Sequence, residues 1–483
     1  MKKILLLITV SLCAHLVSEA QEMKMISEIK QKTSLYDNWF MGSTDDALYF
    51  YQNDKNGTNG KVLVYNRSYQ FEKEIVLSED WASYSSARVI DEKTFCMMYS
   101  FKRSAGGETE YATRVHFYNF KGKKVEDREY DDASSGQFSF SRNNDYMAYR
   151  ESDGDNVVVI NTEDFKEVTK FTNYHHVGAI NDDGSYMQLG FEQKPDPDAD
   201  EDDEDDVEEI DDLSKPFMAF NKMGEEETRV SFTIDDPFPH HHDFWLFRDQ
   251  GKMVITYSFG DEKTFDFYYT QYDFFTFKYY STEGMGALIV DLETKKIEKT
   301  YRIEFSENDM YFKDRTENNN RFGGVEFLNF ADIELVGEDI YIVTQSSSPI
   351  EFSEEIDEEE TKAIHGIMIK FDDDGDHKQR LLESELNKGN AVNSQPGFKL
   401  FKTGDDSYQV AFVSDVSKKL AIKTYVLDDE LELKDTKMQD FGGEFKYKIS
   451  LYRALYITDS DNEYLAFGHK KKNKGFALFR LKL

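Results

Sequence analysis

Residues 137–161, QFSFSRNNDYMAYRESDGDNVVVIN, decide the fold. Gln137-Phe138-Ser139-Phe140-Ser141 alternates polar and apolar residues as a half-buried strand does, and Asn143-Asn144 supplies a turn. Tyr146-Met147-Ala148-Tyr149-Arg150 is a second strand. The turn Ser152-Asp153-Gly154-Asp155, whose glycine takes positive φ without cost, opens a third strand, Val157-Val158-Val159-Ile160-Asn161. No helical period runs through the segment.

The third strand recurs. Its counterparts are Val62-Leu63-Val64-Tyr65-Asn66, Val115-His116-Phe117-Tyr118-Asn119, Phe217-Met218-Ala219-Phe220-Asn221 and Ala287-Leu288-Ile289-Val290-Asp291. Gly366-Ile367-Met368-Ile369-Lys370, the looser Ala421-Ile422-Lys423-Thr424-Tyr425, and Phe476-Ala477-Leu478-Phe479-Arg480 complete a set of eight. Their spacing of roughly 40 to 75 residues suits a propeller blade carrying insertions. The expected fold is therefore all-β, a single β-propeller over residues 21–483 with eight four-stranded blades, seven being the alternative count. Two tandem β-sandwiches would need a linker that the sequence lacks. The last unit stops at Leu483 without an outer strand, so the charged segment Met23 to Thr33 is expected to supply it and close the ring.

The third unit also resembles the repeat of TolB-type and related WD40-like propellers, a Ser-Pro-Asp-Gly turn followed by two apolar strands joined through Asp-Gly. Ser141 matches the serine, Arg142-Asn143-Asn144 replaces Pro-Asp-Gly, and Asn181-Asp182-Asp183-Gly184 keeps the Asp-Gly. The resemblance covers two units and implies a fold rather than an activity.

Lys2, Lys3, the apolar run Ile4 to Val17 and the small-x-small site Ser18-Glu19-Ala20 have the layout of a secretory signal peptide over residues 1–20. The chain is expected to be exported, to the periplasm, the cell surface or the medium. Cys13 follows Leu12 rather than a small residue, which argues against lipidation. After removal of the leader only Cys96 remains, in the apolar strand Thr94-Phe95-Cys96-Met97-Met98, and reads as a buried thiol. Beyond Ala20 no apolar run is long enough to span a bilayer. A net charge of -36 repels phosphate backbones, so nucleic acid is excluded as a partner and a protein or glycan is expected, bound by a monomer.

Three insertions interrupt the repeat between second and third strands. Pro195 to Leu213 is acidic through Asp198, Asp200, Asp202, Asp203, Asp205 and Asp206, and its run Asp196 to Asp212 is expected to be a self-repelling, disordered loop. Pro349 to Lys362 is acidic again. Calcium could be held by such carboxylates, though no Asp-x-Asp-x-Asp-Gly run closes with a distal Glu. The insertion Phe259 to Gly284 is aromatic, and Tyr268, Tyr272 and Tyr279 are its candidate binding residues, for a partner or for sugar stacking. Packing of this hairpin onto its own blade is the plainer reading.

His175, His176, His240 and His242 lie in two consecutive connections and are candidate ligands for a transition metal such as zinc. In an extended chain His240 and His242 point the same way. Ordinary polar loop residues are the plainer reading of them. The tract His469 to Lys474 reads as a solvated hairpin tip. No Gly-x-Ser-x-Gly elbow, His-Glu-x-x-His, phosphate-binding glycine loop or Ser-x-Asp-x-Gly box is present, so no catalytic residue is assigned. The expected function is a non-catalytic binding scaffold that needs no cofactor. A metal-assisted lyase or hydrolase using the loop histidines, and a calcium-dependent surface protein, are the alternatives.

Overall fold

A computed structural model of the chain describes residues 22 to 482 with internal breaks, the longest at 196–208, 306–326, 348–364 and 383–397. After an N-terminal strand, β1 (Glu22–Lys30), the chain lays down antiparallel meanders. The first sheet is β2 (Leu35–Ser43), β3 (Ala47–Asp54), β4 (Lys61–Asn66) and β5 (Phe71–Val76). The second is β6 (Ser86–Val89), β7 (Thr94–Ala105), β8 (Glu108–Asn119) and β9 (Lys124–Asp131). The third is β10 (Ser139–Phe140), β11 (Tyr146–Arg150), β12 (Asn156–Asn161) and β13 (Glu167–Thr172). The fourth is β14 (Gly178–Ile180), β15 (Tyr186–Pro195), β16 (Glu209–Asn221) and β17 (Thr228–Ser231).

In the fifth, β18 (His240–Phe247) and β19 (Lys252–Phe259) precede a separate hairpin, β20 (Glu262–Tyr268) with β21 (Phe274–Tyr280), before β22 (Gly284–Asp291) and β23 (Lys296–Glu304) complete the sheet. The sixth is β24 (Phe327–Val336), β25 (Asp339–Ser347), β26 (His365–Phe371) and β27 (His377–Leu382). The seventh is β28 (Phe398–Lys402), β29 (Ser407–Val416), β30 (Lys419–Asp428) and β31 (Leu433–Asp440). An eighth sheet takes strands from both ends: β32 (Tyr447–Ile449) and β33 (Leu455–Tyr456) both pair with β34 (Glu463–Lys470), then come β35 (Gly475–Lys482) and β1. The chain is a β-propeller, with seven continuous four-stranded blades and one closed by the N-terminal strand.

All eight apolar strands picked out in the sequence are third strands of their sheets. They are apolar on both sides because every blade is covered on both sides. Alternate residues of β3 serve different neighbours. Tyr49 and Tyr51 pack with Val89, Phe95 and Met97 of the second blade. Leu48 and Phe50 pack with Leu465, Phe476 and Leu478 of the eighth. The latter cluster joins the ends of the chain, and β1 completes the closure along β35 from Glu22↔Lys482 to Lys30↔Gly475. Cys96 is fully buried beside Met98, Val115 and Phe117, and burial pushes its thiol up to about 12.

The polar residue that ends the third strand has a physical task. Its side chain accepts the backbone N–H groups of the turn that follows. Asn66 Oδ1 accepts from Ser68 and Gln70 at 3.0 Å. Asn119 Oδ1 accepts from Lys121 and Lys123 at 3.0 and 3.2 Å, and Asp428 Oδ1 from Glu430 and Glu432 at 3.1 and 2.8 Å. In the sixth and seventh blades this acceptor is Asp372 or Asp428, a few residues beyond the strand ends read from sequence. Each such turn then carries one residue at positive φ: Tyr69, Gly122, Phe165, Gly224, Lys295, Gly375 and Leu431. Where that residue is bulky it packs back on the propeller: Phe165 meets the ring of Phe117 at 3.8 Å, on the preceding blade.

Two consequences can be measured. Removing residues 22–30 strips the outer strand of the closing blade, and is expected to lower the melting temperature by more than about 10 °C or to prevent folding. Circular dichroism melts decide, and an unchanged melt refutes the closure. Gly122 and Gly224 share φ near +75° (78° and 74°), but a Cβ at 122 meets Val76 O at 2.4 Å while one at 224 meets nothing within 4 Å. Gly224→Ala is therefore expected to cost about 1 kcal/mol and Gly122→Ala about 3 kcal/mol in urea unfolding. Equal losses would show that backbone strain alone acts at both turns.

Candidate functional site

Loops between second and third strands, and the connections between blades, emerge at the same end of an antiparallel meander. The aromatic hairpin β20–β21 and the start of β18, with His240 and His242, therefore belong to one face of the disc. β15, β19 and β25 end at Pro195, Phe259 and Ser347. The acidic run is shorter than expected, however. Glu209, Ile210, Asp211 and Asp212 are strand residues paired with Pro195, Lys194, Gln193 and Glu192, so they extend the hairpin rather than belong to a disordered loop. Asp212 is buried and accepts a hydrogen bond from Ser214 Oγ at 2.7 Å. Burial alone would raise its carboxyl, but the Ser214 hydrogen bonds and the Lys194 and Lys215 charges take it below the ordinary range. Residues 196–208 and the insertion 349–362 lie outside the described residues.

The aromatic insertion is a hairpin of its own, since the sheet order β18-β19-β22-β23 is complete without it. Its register pairs Phe265 with Phe277, Phe267 with Phe275 and Lys263 with Tyr279, which puts these six positions on one side of the ladder. Tyr268 pairs with Phe274 and belongs to the other side. The candidate trio is thus corrected: Tyr268 and Tyr279 do not share a face, because their separation across the turn puts them in opposite phase. Tyr272 lies outside the described residues.

The neck of this hairpin is built from rings over glycines. Tyr257 lies opposite Gly286 and Phe259 opposite Gly284, and a Cβ at either glycine would meet the facing ring within 2.2 Å. The Arg302 guanidinium sits 4.6 Å above the Phe259 ring centre. It also pairs with Asp236, which accepts a hydrogen bond from Tyr257 Oη at 3.1 Å. Burial, then the Asp236 charge, pushes the Tyr257 phenol well above its usual range.

His242 belongs to this neck. Its ring meets Phe191 edge-on at 4.9 Å and stacks with Tyr257 at 6.0 Å, which joins the roots of the acidic and aromatic insertions. Register shifts between His240, opposite Ser258, and Asp243, opposite Thr256. This bulge breaks the strict alternation on which aligning His240 with His242 depended. The side chain of His240 and all of His175 and His176 lie outside the described residues. Among the described residues no group of three or more His, Cys, Asp or Glu is placed to hold a metal, and no helix is long and apolar enough to cross a membrane.

The opposite face has short turns, and they are tied to one another. Asp45 N–H donates to Glu92 Oε1 at 3.1 Å, and Arg88 Nε to Asn144 Oδ1 at 2.7 Å. Asn143 N–H donates to Asp182 Oδ1 at 2.9 Å, Arg248 Nη2 to Ile180 O at 3.0 Å, and Gln250 Nε2 to Leu335 O at 2.8 Å. These links run from the first blade to the sixth without a gap. Arg142 also reaches past the fourth blade to Asp249, at 3.2 Å. Inside this rim lies a cavity of about 340 Å³, walled by Arg142 of the third blade, residues 246–250 of the fifth and Glu334 of the sixth. Sequence reading missed it, because these residues are ordinary turn residues until the ring brings them together.

No protein-family model matches the chain, and no curated protein matches its sequence. Solved structures of low overall similarity were found. Dihydro-heme d1 dehydrogenase NirN in complex with DHE has a TM-score of 0.40 at 8% identity, over 94% of this chain and 78% of that one. Kluyveromyces lactis Hsv2 has 0.39 at 8% identity, over 84% and 98%. The Myceliophteria thermophila Cps50 (Swd1) beta-propeller domain has 0.28 at 10% identity, over 95% and 99%. Similarity at this level says nothing of function.

The neck makes its own prediction. Asp236 has a side chain only 8% exposed, so removing Arg302 leaves a buried carboxylate short of its cation. Arg302→Ala is expected to cost about 2 kcal/mol, and Arg302→Ala with Asp236→Ala at least about 1 kcal/mol less than the sum of the singles. Urea unfolding of the four proteins in this cycle measures the coupling, and simple additivity refutes it.

Proposed function

We propose that this protein is an exported, non-catalytic propeller that binds a protein or glycan partner through its insertion-bearing face. The aromatic hairpin β20–β21 is the contact element. One observation carries the reading: the hairpin is additional to a complete blade, and its register gathers Phe265, Phe267, Phe275, Phe277 and Tyr279 on one side. A blade already closed by four strands gains nothing in closure from a further aromatic ladder. Rings in that number and order suit the stacking of sugar faces or the apolar centre of a protein interface. The neck of Tyr257, Phe259 and Arg302 fixes the direction in which the hairpin leaves the disc. The acidic runs of the sequence, Asp198 to Asp206 and Glu354 to Glu360, favour partners carrying positive charge. The reading of residues 1–20 as a leader supports an encounter outside the cytoplasm.

The test replaces Phe265, Phe267, Phe275, Phe277 and Tyr279 with Ser in the chain lacking its leader. Binding is read on a glycan array and against envelope proteins, and stability by thermal melts. Capture is expected to fall by more than about 10-fold, with the melting temperature within about 3 °C of the parent. A loss of several kcal/mol, as buried rings give, would show that the ladder packs on the propeller and would refute the reading.

A further inference from the structure

We infer that the axial cavity on the short-turn face binds a small zwitterion of the free amino-acid class, its carboxylate at Arg142 and Arg248 and its ammonium at Glu334. The cavity, about 340 Å³, is within the size range of small-ligand sites. It lies near the axis, because the first strands of neighbouring sheets approach one another, β18 beside β24 and β10 beside β14. Three separate blades contribute to its wall, which fixes the spacing of the charges.

Each charged group leaves room for a ligand. Arg142 is 67% exposed and its partner Asp249 88% exposed, so their ion pair is weak and a ligand carboxylate displaces it readily. Arg248 commits Nη2 to Ile180 O and Asn181 Oδ1, which holds its guanidinium in place as part of the cavity wall. Its charge there stands beside that of Arg142 as a second cation for a ligand carboxylate. Glu334 is half-buried in the same cavity, and burial together with the Asp332 charge holds its carboxyl above the ordinary range. An ammonium group beside it offsets both effects. Leu246 and Phe247 give the cavity apolar wall for a side chain.

A plain anion fits less well, since Asp249, Glu334 and a net charge of -36 all oppose it. A plain cation meets two guanidinium groups. A zwitterion satisfies both signs and carries no net charge into an acidic protein. The site lies on the face away from hairpin β20–β21, so its success or failure is independent of the partner-binding reading.

Isothermal titration of the chain lacking residues 1–20 with the common L-amino acids, their N-acetyl forms and their amides tests the assignment. At least one apolar amino acid is expected to bind with a dissociation constant of about 1 mM or tighter, and both blocked forms at least about 10-fold more weakly. Arg142→Gln, an exposed substitution that spares the fold, is expected to weaken binding about 10-fold. Glu334→Gln is expected to weaken the free amino acid and leave the N-acetyl form unchanged. No binding by any amino acid, or an amide or N-acetyl form as tight as its parent, overturns the proposal.

Discussion

Burial of every blade on both faces is the constraint from which the rest of this structure follows. A sheet with one wet face can spend every second residue on solvent, whereas a propeller blade has neighbours on both sides. Its inner strands are therefore mainly apolar, with odd and even positions committed to different interfaces and only a few buried polar residues such as Gln52, His116 and Lys370 among them. In β12, Val158 and Ile160 pack toward Met147 and Tyr149, while Val157 and Val159 face Ile180 and Tyr186 of the next blade. Only the outermost strand escapes, and there the alternation returns: β13 reads Glu167-Val168-Thr169-Lys170-Phe171-Thr172 and is largely exposed. A charge on an inner strand would be desolvated against two sheets at once, so charge collects on outer strands, turns and insertions.

That constraint explains how much of the fold the sequence disclosed. A run such as Val157 to Ile160 ending in Asn is visible because two-sided burial and a side-chain acceptor for the turn are both local needs. Composition also changes abruptly after Pro195 and after Phe259, where β15 and β19 end. Closure by β1 was visible through a missing strand rather than a motif.

The site was less legible, because its geometry depends on register and on distant pairs. Tyr268 and Tyr279 look equivalent along the chain, and only the pairing Lys263↔Tyr279 and Tyr268↔Phe274 shows them in opposite phase. A single extra residue between His240 and Asp243 undoes an alternation that the letters alone would assign. His242 then finds a place between Phe191 and Tyr257, which lie far apart in sequence. The axial cavity is further from view. Arg142, Arg248 and Glu334 have nothing in common along the chain except membership of first-strand ends, and only the curvature of the ring makes them neighbours.

The two faces also differ in what they are able to hold. On the short-turn face, hydrogen bonds from turn to turn tie the first six blades to their neighbours, as Asn143 is tied to Asp182 and Ile180 to Arg248. A rim fixed in this way keeps charges of opposite sign apart at constant spacing, which is what recognition of a small molecule requires. On the insertion face, loop length is free to grow because nothing there must close the ring, and loop closure costs little as length increases. Hairpin β20–β21 is such a growth, added to a blade whose four strands are complete without it. In the fifth blade Arg302 and Tyr257 stand where the ring's strands end and the hairpin begins: Arg302 lies over Phe259, and Tyr257 donates to the same Asp236 that Arg302 pairs with.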